Sequence, residues 1–88
     1  MTFENIHNYY EKLVLQKVLE LADQSSIDNF VEDVACVALN KLPPRYVRYD
    51  IDMAFYLTED ERETMTNNIE TAVTYAIEYV SAHRNRAA

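Results

Sequence analysis

The chain has 88 residues, enough for one domain but not for two separate hydrophobic cores. It contains no glycine, which excludes phosphate-binding P-loops and dinucleotide fingerprints and argues against a many-stranded β fold with tight turns. Its net charge of −7 disfavours non-specific DNA binding, and its single cysteine excludes an intramolecular disulfide and a multi-cysteine zinc site.

A first amphipathic helix is predicted from near Phe3, with Thr2 as its N-cap, and it ends at the polar residues 23–26. His7 falls off the apolar stripe, so we expect a solvated side chain or a helix-end cation there. The apolar positions recur at helical spacing and form one inward face: Ile6, Tyr10, Leu13, Val14, Val18 and Leu21.

A second helix is predicted after Ser25 or Ser26, either of which can act as its N-cap. Cys36 has apolar neighbours on both sides, so we expect it to be a small buried hydrophobe and not a nucleophile. Pro43 and Pro44 end the helix, because proline lacks the backbone donor and restricts the residue before it. The predicted inward face consists of Ile27, Phe30, Val31, Val34, Val37 and Ala38.

Residues 45–50 are predicted to be extended, and Asp50 or Asp52 to cap a short helical turn through residues 53–56. Thr58 and Glu61 have the spacing of a capping box that opens a last helix. The acidic residues of that first turn favour the helix dipole, which accounts for them without a metal ion. The last helix is predicted to end in the cations of residues 83–86, and its apolar stripe is Met65, Ile69, Ala72, Val73, Ala76, Ile77 and Val80.

These elements predict an all-α fold, a small bundle of three main helices plus a short helical turn, with a Pro-Pro elbow after the second helix, in a single domain over residues 1–88. No uncharged run exceeds seven residues and the N-terminus has no signal-peptide pattern, so we expect a cytoplasmic protein without membrane association. Phe3, Tyr9, Phe55 and Leu57 have no place in the bundle, and we therefore expect a homodimer.

Neither histidine nor Cys36 belongs to a recognisable catalytic constellation, so we expect no enzyme, no metal and no cofactor. The charge pattern is more informative. Residues 41–49, which we call the elbow, carry three cations and no acid, whereas the rest of the chain carries a net charge of −10. Arg45, Arg48, Tyr46 and Tyr49 can together bind a compact anion that has an aromatic face. Alternatively, the elbow is an ordinary polar loop with its tyrosines packed underneath.

The run Ala-Leu-Asn-Lys-Leu-Pro-Pro-Arg-Tyr at residues 38–46, preceded by Asp33, resembles the signature of the late-competence ComFB family. Residues 8–14 and 71–78 are similar to the first and last helices of that family. The resemblance implies a small helical, dimeric domain and, from cyanobacterial members, cyclic di-GMP as ligand. Some members hold zinc through cysteines, but Ile27 and Phe30 occupy that stretch here. The continuation after Arg48 looks like the proteobacterial version.

For such a ligand, the arginines would bind phosphate, the tyrosines would stack on guanine, and Asp50 or Asp52 would accept hydrogen bonds from the base. Asp33 and Asn40 have an equal claim to scaffold roles, Asp33 in fixing loop amides and Asn40 in closing the helix. The predicted ligand-binding residues are Arg45, Arg48, Tyr46, Tyr49, Asp52, Lys41, Asn40 and Asp33.

We therefore expect a cyclic di-GMP receptor that relays the signal to an unidentified protein effector. The alternative is a non-enzymatic adaptor of competence or motility machinery that binds only protein, through a surface rich in tyrosine. DNA binding is disfavoured by the acidic remainder of the chain.

Overall fold

The computed structural model describes residues 5–22 and 28–83. Within these ranges the chain forms, in order, β1 (His7–Asn8), α1 (Tyr10–Ala22), a 3₁₀ turn (Asp28–Phe30), α2 (Val31–Lys41), β2 (Tyr46–Val47), α3 (Ile51–Tyr56) and α4 (Glu59–His83). The two strands are antiparallel and only two residues long. The all-α prediction is therefore confirmed, with one small strand pair added to it.

The bundle consists of α1, α2 and α4, each of which packs against the other two. The core lies where they meet, and its largest fully enclosed side chains are Val14, Val18, Val34 and Val73. Burial of one such side chain contributes roughly 1.5–3 kcal/mol. The predicted stripe of the last helix is confirmed, since all seven of its members belong to this core or pack against it.

The start of the first helix was predicted wrongly. The structure begins α1 at Tyr10, whereas Ile6 precedes β1 and is 42% exposed. The reason is a local capping box, in which the Asn8 side chain accepts from the Tyr10 N–H at 3.2 Å and Glu11 accepts from the Asn8 N–H at 3.3 Å. The predicted N-cap Thr2 lies outside the described residues.

The second helix is confirmed, but Cys36 is exposed and not buried as predicted. Val34 and Ala38 are one turn apart and both face the core. Cys36 lies midway between them in sequence, about 200° around the helix from each, so it points outward despite its apolar neighbours. The predicted caps Ser25 and Ser26 lie outside the described residues, as does the inward residue Ile27.

The capping box of the last helix is confirmed. Thr58 Oγ1 accepts from the Glu61 N–H at 3.1 Å, and Glu61 Oε1 accepts from the Thr58 N–H at 3.2 Å. At the other end, His83 Nδ1 lies 2.7 Å from the Tyr79 carbonyl oxygen, which matches a helix-end role. The predicted cations at 84 and 86 lie outside the described residues. No helix in the described ranges combines the length and apolar character needed to cross a bilayer.

Candidate functional site

The elbow leaves α2 through Leu42, whose side chain is buried in the core. Leu42 has the extended dihedrals φ −105° and ψ 135° and donates its N–H to the Leu39 carbonyl at 3.3 Å. Because Pro43 follows, Leu42 is excluded from the helical region, and the helix ends at Lys41. The Pro-Pro prediction is confirmed, and a core contact fixes where the elbow starts.

The backbone of the elbow is bonded to the start of α1. Asn8 Oδ1, the same atom that caps α1, also accepts from the Arg45 N–H at 3.0 Å. The Arg45 carbonyl accepts from the Tyr9 N–H at 2.7 Å. Beyond Arg45, Tyr46 pairs with Asn8 and Val47 with His7 in the strand pair. Both main-chain groups of Arg45 are therefore satisfied, and the direction of the chain at this residue is fixed.

His7 and Asp50 add a side-chain contact at the far end of the elbow. His7 Nε2 lies 2.5 Å from Asp50 Oδ1, and Lys12 Nζ lies 3.8 Å from the other carboxylate oxygen. The predicted capping role of Asp50 is wrong: it precedes α3, but its side chain makes no cap hydrogen bond there. The predicted solvated role of His7 is also wrong, because its ring is half-buried against Asp50.

The side chains of the elbow point to solvent although its backbone is bonded. Tyr46 is 67% exposed and Tyr49 is 55% exposed, so the interpretation that the tyrosines pack underneath the loop is wrong. Arg45 and Arg48 are exposed as well. The Arg48 guanidinium carbon lies 5.2 Å from the centre of the Tyr49 ring, a cation–π contact that brings a charge and an aromatic face together.

Lys41 turns toward α4, where its Nζ lies 4.4 Å from the centre of the Tyr75 ring. Tyr75 begins an aromatic row along α4, with ring centres 6.0 Å apart from Tyr75 to Tyr79 and 4.2 Å apart from Tyr79 to His83. Lys41, Pro43 and Tyr75 line a surface depression of about 370 Å³. The last cation of α2 and the first proline of the elbow thus share one concave surface with α4.

A second depression, of about 300 Å³, lies beside the first. Arg45 lines it together with the acidic residues Asp60 and Glu61 of the first turn of α4. Asn68 lines both depressions, so the Lys41 surface and the Arg45 surface adjoin along α4. An arrangement of this kind offers cations, amide groups and aromatic faces to a ligand that spans both sides of Asn68.

Three other predicted site residues, Asp33, Asn40 and Asp52, do not line either of these two depressions. Asp33 is exposed in the first turn of α2, about 12 Å along the helix from Lys41, so it lies apart from the elbow. Asn40 is exposed in the last turn of α2, and Asp52 is half-buried in the first turn of α3. The structure therefore brings Lys41 and Arg45 to one face of α4 and leaves Asp33 apart.

Sequence reasoning missed three residues that shape this surface. Asn8 carried a usable signal, because Asn followed three positions later by Glu is a capping pattern. Tyr75 carried a weaker one, in its spacing of four from Tyr79. Asn68 carried none, since its position between the two depressions depends on how the elbow crosses α4. In the described part of the chain no three His, Cys, Asp or Glu side chains come together as a possible metal site.

Comparison with known proteins places the chain in a family. The family model described as Late competence development protein ComFB matches residues 7–84. No curated protein matches the chain, and no solved structure matches it. The matched segment runs from β1 to the end of α4 and includes the capping residues of α1, the elbow and the aromatic row. The chain belongs to the ComFB family of late competence development proteins.

Proposed function

We propose that this protein is a non-enzymatic cytoplasmic receptor that binds cyclic di-GMP at the elbow and the adjoining face of α4 and relays the signal to a protein partner. The observation that carries the proposal is the exposure of Arg45, Arg48, Tyr46 and Tyr49 on a backbone bonded to α1. Membership of the ComFB family supports it, because the segment that matches the family model includes these elbow residues.

The charge distribution favours a small anion at the elbow. Cyclic di-GMP carries two phosphates, and the three cations available to them are Lys41, Arg45 and Arg48. The remainder of the chain has a net charge of −10, so the elbow attracts a dianion more strongly than the rest of the chain does. Arginine suits the contact because its planar guanidinium can donate two parallel hydrogen bonds to one phosphate.

The elbow also offers surfaces that suit two guanine bases. Tyr46 and Tyr49 present exposed rings, and stacking of a base on an aromatic side chain contributes about 1–3 kcal/mol. Arg48 already lies over the Tyr49 ring and would extend that stacking surface. The edge of guanine presents N–H donors, for which the Asp52 carboxylate and the Asn68 side-chain oxygen are suitable acceptors.

A fixed backbone makes the surface suited to binding. The main chain at Arg45 is bonded on both sides, so little backbone entropy remains to be lost when a ligand orders the arginine. The contact between His7 and Asp50 limits motion at the far end of the elbow in the same way. We therefore expect the conformational entropy lost on binding to come mainly from the side chains.

Isothermal titration of the wild-type protein with cyclic di-GMP tests this proposal. Arg45→Ala and Arg48→Ala should each weaken binding roughly ten- to a hundredfold, as expected for loss of a charge-assisted contact. Lys17→Ala is the matched control, because it removes one positive charge from α1 outside the elbow and should change affinity less than threefold, about the size of a weak surface charge effect.

Two results would count against the proposal. A wild-type protein with no affinity for cyclic di-GMP would favour the adaptor alternative, in which the exposed tyrosines contact only protein. Binding that survives both arginine changes together would place the ligand on another surface. Cyclic di-AMP serves as a ligand control, since its bases lack the guanine donors and it should bind more weakly than cyclic di-GMP.

A further inference from the structure

The exposed side of α4 carries the aromatic row, which the proposed nucleotide contacts do not use. Tyr75 and Tyr79 are 41% and 43% exposed, and His83, which stacks on Tyr79, is exposed as well. The three residues are each four positions apart, so their side chains follow one another along the same side of the helix. Exposed aromatic side chains are enriched where proteins contact one another.

An acidic depression adjoins the aromatic row at Tyr75. It has a volume of about 570 Å³ and is lined by α4 alone, through Asn67, Glu70, Thr71, Thr74, Tyr75 and Glu78. Thr71 and Tyr75 also line the depression that contains Lys41, so they form the ridge between the two. No cation of the described residues lines the acidic depression. It therefore places negative charge directly beside an aromatic ring.

The two glutamates of this depression differ in what already faces them. Glu70 lies close enough to Lys17 of α1 to attract its charge. Glu78, by contrast, forms no ion pair with a cation in the described part of the chain. It follows Tyr75 by three positions, about 60° around the helix, so its carboxylate and the Tyr75 ring are neighbours on one face. Glu78 can therefore bind a cation that also contacts Tyr75.

A contact within the chain shows that the Tyr75 ring accepts a cation. Lys41 Nζ lies 4.4 Å from the ring centre, which makes a cation–π contact between α2 and α4. Lys41 is exposed, and contacts of this kind are weak at exposed sites, so a cation with a better fit can displace it. Arginine fits better than lysine, because its planar guanidinium stacks on an aromatic ring and donates to a carboxylate at the same time.

We infer that the aromatic row and Glu78 form the docking surface for the protein partner, and that this surface recognises an arginine-rich segment of that partner. One arginine of the segment displaces Lys41 from the Tyr75 ring and donates to the Glu78 carboxylate. The net charge of −7 attracts such a segment at long range. The inference rests on the proposed function only for the relay of the signal, because the docking surface itself requires no bound nucleotide.

Displacement of Lys41 connects the docking surface to the proposed nucleotide site. Lys41 is one of the three cations available to the phosphates of cyclic di-GMP. A phosphate that binds Lys41 draws it away from Tyr75, so the arginine of the partner no longer competes for the ring. Nucleotide and partner should then each tighten the binding of the other by the same factor. We expect about two- to fivefold, the size of one exposed cation–π contact.

Fluorescence anisotropy of a dye-labelled hexa-arginine peptide, titrated with the full chain at about 0.15 M salt, tests the inference. A hexa-lysine peptide carries the same charge but lacks the planar group, so it should bind roughly fivefold more weakly. Tyr75→Leu should weaken hexa-arginine binding roughly tenfold. Tyr75→Phe keeps a ring face and should retain the affinity within about threefold.

Two charge variants have matched controls. Glu78→Gln should weaken hexa-arginine binding roughly fivefold, whereas Glu63→Gln, an exposed glutamate about 18 Å along α4 from Tyr75, should change it less than twofold because salt screens its charge. Lys41→Ala should strengthen binding about two- to fivefold, because no cation has to be displaced from the ring. Lys12→Ala removes an exposed lysine of α1 and should have less than about half that effect.

The expected result is tighter binding of hexa-arginine than of hexa-lysine, weakened by Tyr75→Leu and Glu78→Gln, with unchanged helical content by circular dichroism. Absence of hexa-arginine binding overturns the inference. Equal affinity for the two peptides also overturns it, since net charge alone would then explain the attraction, and so do equal losses in Glu78→Gln and Glu63→Gln. Cyclic di-GMP that binds without changing the peptide affinity overturns the link through Lys41. A protein that binds hexa-arginine in this way but not cyclic di-GMP contradicts the proposed function and supports the docking surface.

Discussion

Replacement of Asn8 by alanine tests the link between the start of α1 and the elbow. One atom, Asn8 Oδ1, accepts from two backbone donors, the Tyr10 N–H at 3.2 Å and the Arg45 N–H at 3.0 Å. Asn8→Ala removes both bonds at once without opening a cavity, because the residue is only half-buried. The variant therefore measures the contribution of the two hydrogen bonds without a change in core packing.

The expected loss of stability is the sum of two contributions. Loss of the N-cap of α1 costs about 1 kcal/mol. Loss of the bond to Arg45 costs about 0.5–1.5 kcal/mol, at the lower end here because Arg45 is exposed and water can solvate its N–H. We expect Asn8→Ala to lower the free energy of unfolding by about 1.5–2 kcal/mol.

Urea denaturation followed by circular dichroism measures this difference. Asn8→Asp keeps an acceptor oxygen that caps as well as asparagine does, so it should retain most of the wild-type stability. Asn67→Ala is the matched control, an exposed asparagine within α4 whose replacement should change stability by less than about 0.5 kcal/mol. A loss of less than about 0.5 kcal/mol for Asn8→Ala, or equal losses for Asn8→Ala and Asn67→Ala, would refute the reasoning.

Three further changes test other parts of the fold. Replacing Pro43 and Pro44 together by alanine should lower the free energy of unfolding by up to about 1 kcal/mol per proline. The affinity for cyclic di-GMP should fall by more than the loss of folded protein accounts for, because the site is no longer preorganised. Equal losses in urea denaturation and in titration would show that the prolines do not preorganise the site. Thr58→Ala should cost about 1 kcal/mol in urea denaturation through loss of the α4 cap, and an unchanged midpoint would contradict that role. Val73→Ala should cost about 2–3 kcal/mol because the side chain is fully enclosed, and a loss under about 1 kcal/mol would show that the core can collapse around it.

Helical periodicity predicted the bundle well because burial in a three-helix core depends on angle around each helix. Val14 and Val18 on α1, and Val73 on α4, all lie on the stripes that the spacing indicated. Cys36 shows where composition misleads: its neighbours are apolar, but its angle places it outward. The periodicity was informative, whereas the local abundance of apolar residues was not.

The start of α1 had a local signal in Asn8 and Glu11 that was missed, whereas the fixed backbone of the elbow was harder to predict. That backbone depends on pairing between residues 37–43 positions apart, such as Asn8 with Arg45 and His7 with Asp50. No local propensity encodes such a pairing, which is why His7 was expected to be solvated and Asp50 to cap a helix. The charge of the elbow was evident from the sequence, but its attachment to α1 and its contact with α4 required the three-dimensional arrangement.

The measurement that tests the central claim most directly is a titration of the isotopically labelled protein with cyclic di-GMP, followed by amide chemical shifts in NMR spectra. The account predicts that the largest changes occur at Arg45, Tyr46, Arg48 and Tyr49 in the elbow and at Asn68 on α4. Saturable shifts confined to surfaces away from the elbow, or spectra that do not change at all, would contradict the claim that the elbow is the nucleotide-binding surface.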